Sequence, residues 1–369
     1  MSLQPTTNRT HSVRDLRIDQ VRPLISPALL REELPLTAET AQVVLRSRED
    51  VVGVLDGTDD RLLVVVGPCS VHDPAAALDY ATRLAATAGA LAEDLVVVMR
   101  VYFEKPRTSL GWKGLLNDPN LDGSYNVNAG LRTARKLLGD ILALGLPVGC
   151  EFLDPIIPQY IADLVGWGSI GARTAASQVH RQLSSGLSMP IGIKNATDGN
   201  VQVAVDAVRA AGSPHVFPGI TDDGVAAIMN TTGNPDCHVI LRGSDVGPNY
   251  READVADALR RLAAAGLPER LLIDASHGNS GKDHRRQPVI VRDIVRRLTG
   301  GERGVVGLML ESFLVDGRQD LVLGQTDELT YGQSITDSCL DWASTEELLG
   351  ELAGGVAARR KAAAALVSS

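Results

Sequence analysis

From about residue 60 onward, short apolar runs rich in β-branched residues alternate with amphipathic stretches rich in alanine and leucine. The runs are LLVVVG, LVVVMRVYF, LPVGCEFL, GSIGART, PIGIKN, HVILRGS, LLIDASH and VGLMLESFL. Between them lie helical patterns such as DPAAALDYATRLAATAGAL, AGLRTARKLLGDILALGL, GNVQVAVDAVRAAG and READVADALRRLAAAGL. A strand that is apolar at every position is covered on both faces, and such strands separated by helices form a parallel sheet. Eight units of this kind predict an α/β fold, a closed (β/α)8 TIM barrel, rather than an open doubly wound sheet. No GxGxxG follows the first run, so the main signature of the open alternative is missing.

Two segments do not fit the rhythm. HVFPGIT (215–221) carries a proline and has no long helix after it, so it reads as part of an inserted β-ribbon at about 213–236, outside the barrel. Residues 1–13 are polar, and residues 14–34 mix charge with apolar side chains. Together they read as an N-terminal extension, residues 1–40, that packs on this subunit or a neighbour; residues 41–369 form the catalytic barrel.

The formal net charge is -9, which argues against nucleic-acid or anionic-membrane partners. Any anion must therefore meet a local basic cluster. No apolar run approaches membrane-spanning length, and the first residues lack the apolar centre of a secretory signal. Cys69, Cys150, Cys237 and Cys339 are far apart with no CxxC pair, so a reducing cytoplasmic setting is expected.

In a (β/α)8 barrel the chemistry lies at the C-terminal strand ends. Here the eight runs end, in order, near Cys69, Arg100, Glu151, Arg173, Lys194, Arg242, His277 and Glu311. One polar strand end is ordinary, but eight in succession are not. Arg100, Lys105, Arg173, Lys194 and Arg242 would repel one another unless they faced an anion. Arginine forks suit phosphate and carboxylate, and lysine adds a point charge. Taken singly, each could pair with a surface acid. Cys69, His277, Glu311 and Asp337 offer a thiol, an imidazole and two carboxylates, a mixed set suited to Mn, Fe, Co or Zn. Alone, Cys69 is more often a buried apolar residue. In EKPRT (104–108), Arg107 and Thr108 could hold a second phosphate, with Lys105 between two substrates.

At these residues the chain resembles the type I, aromatic-pathway 3-deoxy-D-arabino-heptulosonate 7-phosphate (DAHP) synthases. The resemblance is carried by GPCSVHD (67–73), RVYFEKPRTSLGWKGLLNDP (100–119), GCEFLDPIIPQY (149–160) and IGARTAASQVHRQLSSGLSMPIGIKNATDG (170–199). It continues through CHVILRG (237–243), IDASHGNSGK (273–282), LESFLVDGRQ (310–319) and YGQSITDSC (331–339), and it runs from about residue 14 to the C-terminus. It implies divalent metal ligands at Cys69, His277, Glu311 and Asp337. It implies phosphoenolpyruvate residues at Arg100, Lys105, Arg173, Lys194 and Arg242, and aldose phosphate residues at Arg107 and Thr108 beside Pro106. Lys105, Glu151 and His277 are then candidates for moving protons and water.

The related 3-deoxy-octulosonate 8-phosphate synthases usually carry an Asn-Arg-Ser type loop in place of KPRT, so erythrose 4-phosphate is the expected aldose. The resemblance also implies a homodimer or homotetramer and feedback inhibition by an aromatic amino acid. The matching effector positions are Asp15, Pro158, Gln159, Leu187, Ser188, Phe217 and Gly219. Arg14 stands where some Phe-sensitive members have a second acid, and Gly219 removes bulk near the expected ring, which favours Tyr or Trp as effector. Cys339 is expected near Cys69, within reach of an oxidative disulfide. Two alternatives share these motifs: a synthase for another phosphorylated aldehyde, and a barrel acting mainly as a regulatory partner of a chorismate mutase.

Overall fold

The computed structural model describes residues 13–107 and 110–367. Helix α1 (Pro27–Glu33) is followed by α2 (Ala38–Asp56), whose start is fixed by a reciprocal Thr37–Thr40 capping box and whose end turns through Gly57 at φ +80°. The alternation then unfolds as β1 (Leu62–Gly67), α3 (Pro74–Ala90), β2 (Leu95–Arg100), α4 (Val127–Ala143), β3 (Val148–Glu151), α5 (Pro158–Ile161), β4 (Trp167–Ile170), α6 (Gln178–Gly186), β5 (Ile191–Lys194) and α7 (Gln202–Ala211). An antiparallel pair, β6 (Val216–Ile220) and β7 (Ala226–Asn230), interrupts the pattern. It resumes with β8 (His238–Leu241), α8 (Glu252–Ala264), β9 (Leu271–Asp274), α9 (His277–Ser280), α10 (Gln287–Thr299) and β10 (Val305–Glu311). Short strands β11 (Val315–Arg318) and β12 (Gln333–Ser334) and the long helix α11 (Trp342–Val367) complete the described chain.

The expected barrel is present: eight parallel strands close in the order β1-β10-β9-β8-β5-β4-β3-β2. Apart from Glu151 and Val306 every barrel-strand residue is buried, as continuous apolar runs require. Leu63, Val65, Val96, Val98, Trp167, Ile240, Leu272 and Met309 pack as one cluster with Val51, Val54 and Leu55 of α2. Helix α2 thus stoppers the N-terminal end of the barrel and leaves the C-terminal end open for a site.

The ribbon β6–β7 stands outside the barrel, as HVFPGIT suggested, and Pro218 costs no ladder bond in a two-stranded sheet. From Arg22 onward the N-terminal arm is tied to its own subunit. Arg22 donates to Tyr125 O at 3.1 Å, Asn128 Nδ2 to Pro23 O at 3.0 Å and Tyr160 Oη to Ile25 O at 2.7 Å. Before that point Val13, Leu16, Ile18 and Val21 stand exposed.

Candidate active site

Arg100, Glu151, Lys194 and Glu311 are the last residues of their strands. Arg242 follows β8 directly, and Cys69, Arg173 and His277 lie within three residues of β1, β4 and β9. The topology therefore brings all eight sequence-predicted strand ends to one mouth. A cavity of about 700 Å³ opens there, lined by Arg100, Lys105, Pro106, Arg107, Glu151, Arg173, Lys194, Arg242, His277 and Asp337. Thr108 lies outside the described residues.

The candidate metal donors converge. Ligand atoms of Cys69, Glu311 and Asp337 all lie within 4.8 Å of one another. His277 Nε2 is 3.5 Å from Glu311 Oε1. Glu311 is held from several sides: Ser276 Oγ donates to Oε2 at 2.8 Å, Arg100 Nη2 donates to Oε1 at 2.9 Å, and Gln287 brackets its backbone. Burial, and then Glu311, push the Cys69 thiol up to about 12. For Asp337, burial works toward the neutral form, but Lys105 and His277 outweigh it and hold the carboxyl well below its usual range. A thiol, an imidazole and two carboxylates gathered this closely fit a divalent transition metal, whose binding would displace the thiol proton.

The cations divide by depth. Lys194 and Arg242 are buried, whereas Arg107 and Arg173 stand at the exposed rim. Arg242 Nη1 is enclosed yet has no hydrogen-bond partner among the described residues. An enclosed guanidinium nitrogen left open at a cavity wall suits an anionic ligand. Lys105 lies between the two sets, with Nζ 2.6 Å from Cys69 Sγ and 3.5 Å from Asp337 Oδ2. Burial disfavours its ammonium, but Cys69, Asp337 and Glu311 together raise its pKa.

Arg100 is more committed to the protein than the sequence reading implied. Its guanidinium donates to Pro68 O and Cys69 O, contacts Met309 Sδ, pairs with Glu311 and lies 3.7 Å over the Tyr102 ring. It touches the cavity while joining the cation group to the donor group.

Sequence reasoning missed Asp274, which is fully buried at the end of β9. Its Oδ2 lies 2.8 Å from both Lys194 Nζ and His277 Nδ1. The signal available was an acid three residues before His277 in IDASH, which brings both onto one strand-end turn. Thr197, Asp245 and Lys282 also line the cavity and were not singled out. Cys339 and Cys69 are both free, and Cys69 N donates to Cys339 Sγ at 3.4 Å.

A second cleft of about 760 Å³ lies between α5, α6 and the ribbon, and Pro158, Gln159, Leu187, Ser188, Phe217 and Gly219 line it. Asp15 is not among its lining residues and instead meets Arg14 at 3.2 Å. The space left by Gly219 is taken by its neighbour on β7: a Cβ there would stand 2.6 Å from Met229 Cγ. Met229 therefore fills part of the room that the missing side chain of Gly219 was expected to leave.

Residues 34–350 match the model of the DAHP synthetase I family. The chain is 53% identical over 346 residues to the Phe-sensitive phospho-2-dehydro-3-deoxyheptonate aldolase of Escherichia coli K12, covering 94% of this chain and 98% of that one. It is 54% identical over 368 residues to a phospho-2-dehydro-3-deoxyheptonate aldolase of Corynebacterium glutamicum, covering 98% and 100%. The solved structure of the phospho-2-dehydro-3-deoxyheptonate aldolase from Francisella tularensis SCHU S4 superposes with a TM-score of 0.90 at 49% identity, covering 93% of this chain and 99% of that one.

Proposed function

The chain belongs to the DAHP synthetase I family, and from that premise we propose how its barrel mouth works as a 3-deoxy-7-phosphoheptulonate synthase. The reaction joins phosphoenolpyruvate, D-erythrose 4-phosphate and water into DAHP and phosphate, the first step of the shikimate pathway. Relatives about half identical over nearly the whole chain support this enzyme, and they do not favour the other-aldehyde or mutase-partner readings.

The observation that carries the assignment is the enclosed Arg242 Nη1, without a hydrogen-bond partner among the described residues, at a cavity also walled by Lys194 and the donor set. Lys194 and Arg242 at depth, with Arg173 at the rim, would bind the carboxylate and phosphate of phosphoenolpyruvate. Arg100 contributes charge from behind. Arg107 and Thr108 would take the aldose phosphate. A divalent ion held by Cys69, His277, Glu311 and Asp337 would supply a Lewis acid for the aldehyde oxygen. Carbon 3 of phosphoenolpyruvate attacks the aldehyde carbon, water adds at carbon 2, and phosphate leaves with C–O cleavage. Lys105, Glu151 and His277 are the groups placed to move the protons and orient the water. The clustered cations offset the repulsion between two polyanions.

The test follows phosphoenolpyruvate absorbance with erythrose 4-phosphate, before and after chelation and after Mn2+ is restored. Loss and recovery of the rate are expected. A rate that chelator leaves untouched would sink the metal assignment, and a rate with arabinose 5-phosphate alone would move the substrate.

The cleft between α5, α6 and the ribbon is assigned to an aromatic amino-acid inhibitor. Rates at saturating Phe, Tyr and Trp identify which one, and three unchanged rates overturn the assignment. The exposed apolar residues of the arm support contacts with a second copy, in a homodimer or homotetramer. Among the described residues no helix is long and apolar enough to cross a membrane, and a cytoplasmic location suits the biosynthetic role.

A further inference from the structure

We propose that Asp274 is a positioning residue shared by both halves of the site: one of its carboxylate oxygens orients His277 toward the metal and anchors Lys194 in the phosphoenolpyruvate cage, so that the two ligands bind cooperatively. This rests on the reading of the site given above.

Asp274 is immobilised on every side. Its Oδ1 accepts from Ser276 N at 3.0 Å, and its main-chain oxygen accepts from Asn279 Nδ2 at 2.8 Å. Its Oδ2 stands 2.8 Å from Lys194 Nζ and 2.8 Å from His277 Nδ1. Lys194 comes from β5 and Asp274 from β9, with β8 between them in the sheet. The carboxylate therefore ties together side chains that no local segment would place side by side.

His277 has φ +52°, a left-handed conformation unusual for a non-glycine residue. Such geometry persists only where the surroundings over-determine it. Here the turn is closed by Lys282 N donating to His277 O at 2.8 Å. Nδ1 lies 2.8 Å from Asp274 Oδ2, close enough for charge to act although its N–H is not aligned as a hydrogen bond, and Nε2 is the nitrogen 3.5 Å from Glu311 Oε1 on the side of the donor set. A carboxylate behind a ligating histidine fixes its tautomer and raises its basicity.

The sharing has a consequence of its own. Oδ2 accepts from Lys194 Nζ and stands 2.8 Å from His277 Nδ1, so its charge acts on both. An anion in the cavity draws the Lys194 ammonium toward itself and leaves more of Oδ2 to His277. A better-supported His277 binds the metal more tightly, and by linkage the metal favours the anion equally.

The test titrates chelator-stripped protein with Mn2+ by calorimetry, with and without phosphoenolpyruvate and with no aldose present, so no turnover occurs. In the wild type, phosphoenolpyruvate should tighten Mn2+ binding. In Asp274→Asn the Mn2+ Kd should rise about 10- to 100-fold, and the tightening should fall toward one. Because that variant leaves Lys194 without its buried partner and can fail to fold, a second comparison removes the pair together. Relative to Lys194→Met alone, the Lys194→Met/Asp274→Asn protein should bind Mn2+ about tenfold more weakly or worse. Nitrogen-15 spectra of His277 supply a readout that a purely structural role would not move: the proton should sit on Nδ1 in the wild type. Equal affinities in either comparison, or a proton found on Nε2 alone, overturn the inference. Wild-type protein that binds neither Mn2+ nor phosphoenolpyruvate overturns the reading of the site and the inference together.

Discussion

Arg100 and Glu311 face each other at 2.9 Å with both side chains shut away from solvent, and this pair joins the cation group to the donor group. Removing one partner of a buried pair costs about 3–5 kcal/mol. Arg100→Met should therefore destabilise the metal-free protein by about that amount. Bound Mn2+ would restore positive charge beside Glu311, so the loss should shrink on metal loading. Urea denaturation with and without Mn2+ checks this. The same loss in both forms would show that Arg100 does not offset the Glu311 charge.

Metal binding should be coupled to proton release. Burial and Glu311 hold the Cys69 thiol near 12, above working pH, and a coordinating thiol must give up its proton. Mn2+ affinity should rise about tenfold per pH unit from this group between roughly pH 6.5 and 8.5. Competition against a chelator of known affinity measures the slope. Cys69→Ala should bind more weakly and with a shallower slope; a wild-type affinity flat in pH would contradict the thiol's part in binding.

Glu104 should give stability a pH dependence of its own. Burial pushes its carboxyl from 4.5 up to about 8, against the N–H groups of Leu153 and Asp154, which favour the charged form. Between those values the folded protein holds a proton that the unfolded chain has lost. Stability therefore falls as pH rises through that window and levels off above it. Glu104→Gln, which does not titrate, should lack this slope. Denaturation midpoints of both proteins from pH 5 to 8.5 decide the matter; parallel curves would show that Glu104 is not the group responsible.

The cage residues should separate by depth. Arg173 is at the rim, and Arg242 Nη1 pairs with nothing among the described residues. Arg173→Ala and Arg242→Ala should therefore keep their melting temperatures. Both should lose about 10²- to 10³-fold in kcat/KM for phosphoenolpyruvate. Lys194→Ala also strips Asp274 of a buried partner, so it should lose stability as well as rate. Thermal melts beside steady-state kinetics test the ordering, and a normal rate in Arg242→Ala would remove it from the substrate cage.

What could be read from the sequence follows from how barrels are built. Continuous apolar runs alternating with amphipathic helices leave little choice of architecture, and the architecture sends every strand end to one mouth. Arg173, Lys194, Arg242, His277 and Glu311 needed no more than that to be placed together. Pairing across the mouth was not legible. Asp274 reads as an acid at the end of an apolar run until β5 brings Lys194 against it. Arg100 reads as a free cation until Glu311 arrives from the last barrel strand. At Gly219 a missing side chain looks like room for a ligand, but the register of a two-stranded ribbon decides what fills it, and here Met229 does.

The barrel closes where β1 pairs with β10. Cys69 lies just past β1, Glu311 ends β10 and Asp337 follows it, so the donor set straddles the seam. During synthesis Cys69 leaves the ribosome long before Asp337 does. A nascent or truncated chain therefore lacks the complete donor set, and an ion bound by that set would be captured only by a chain whose first and last strands have met. A metal held there would act as a clasp on a finished ring, and its retention would report that the ring is shut.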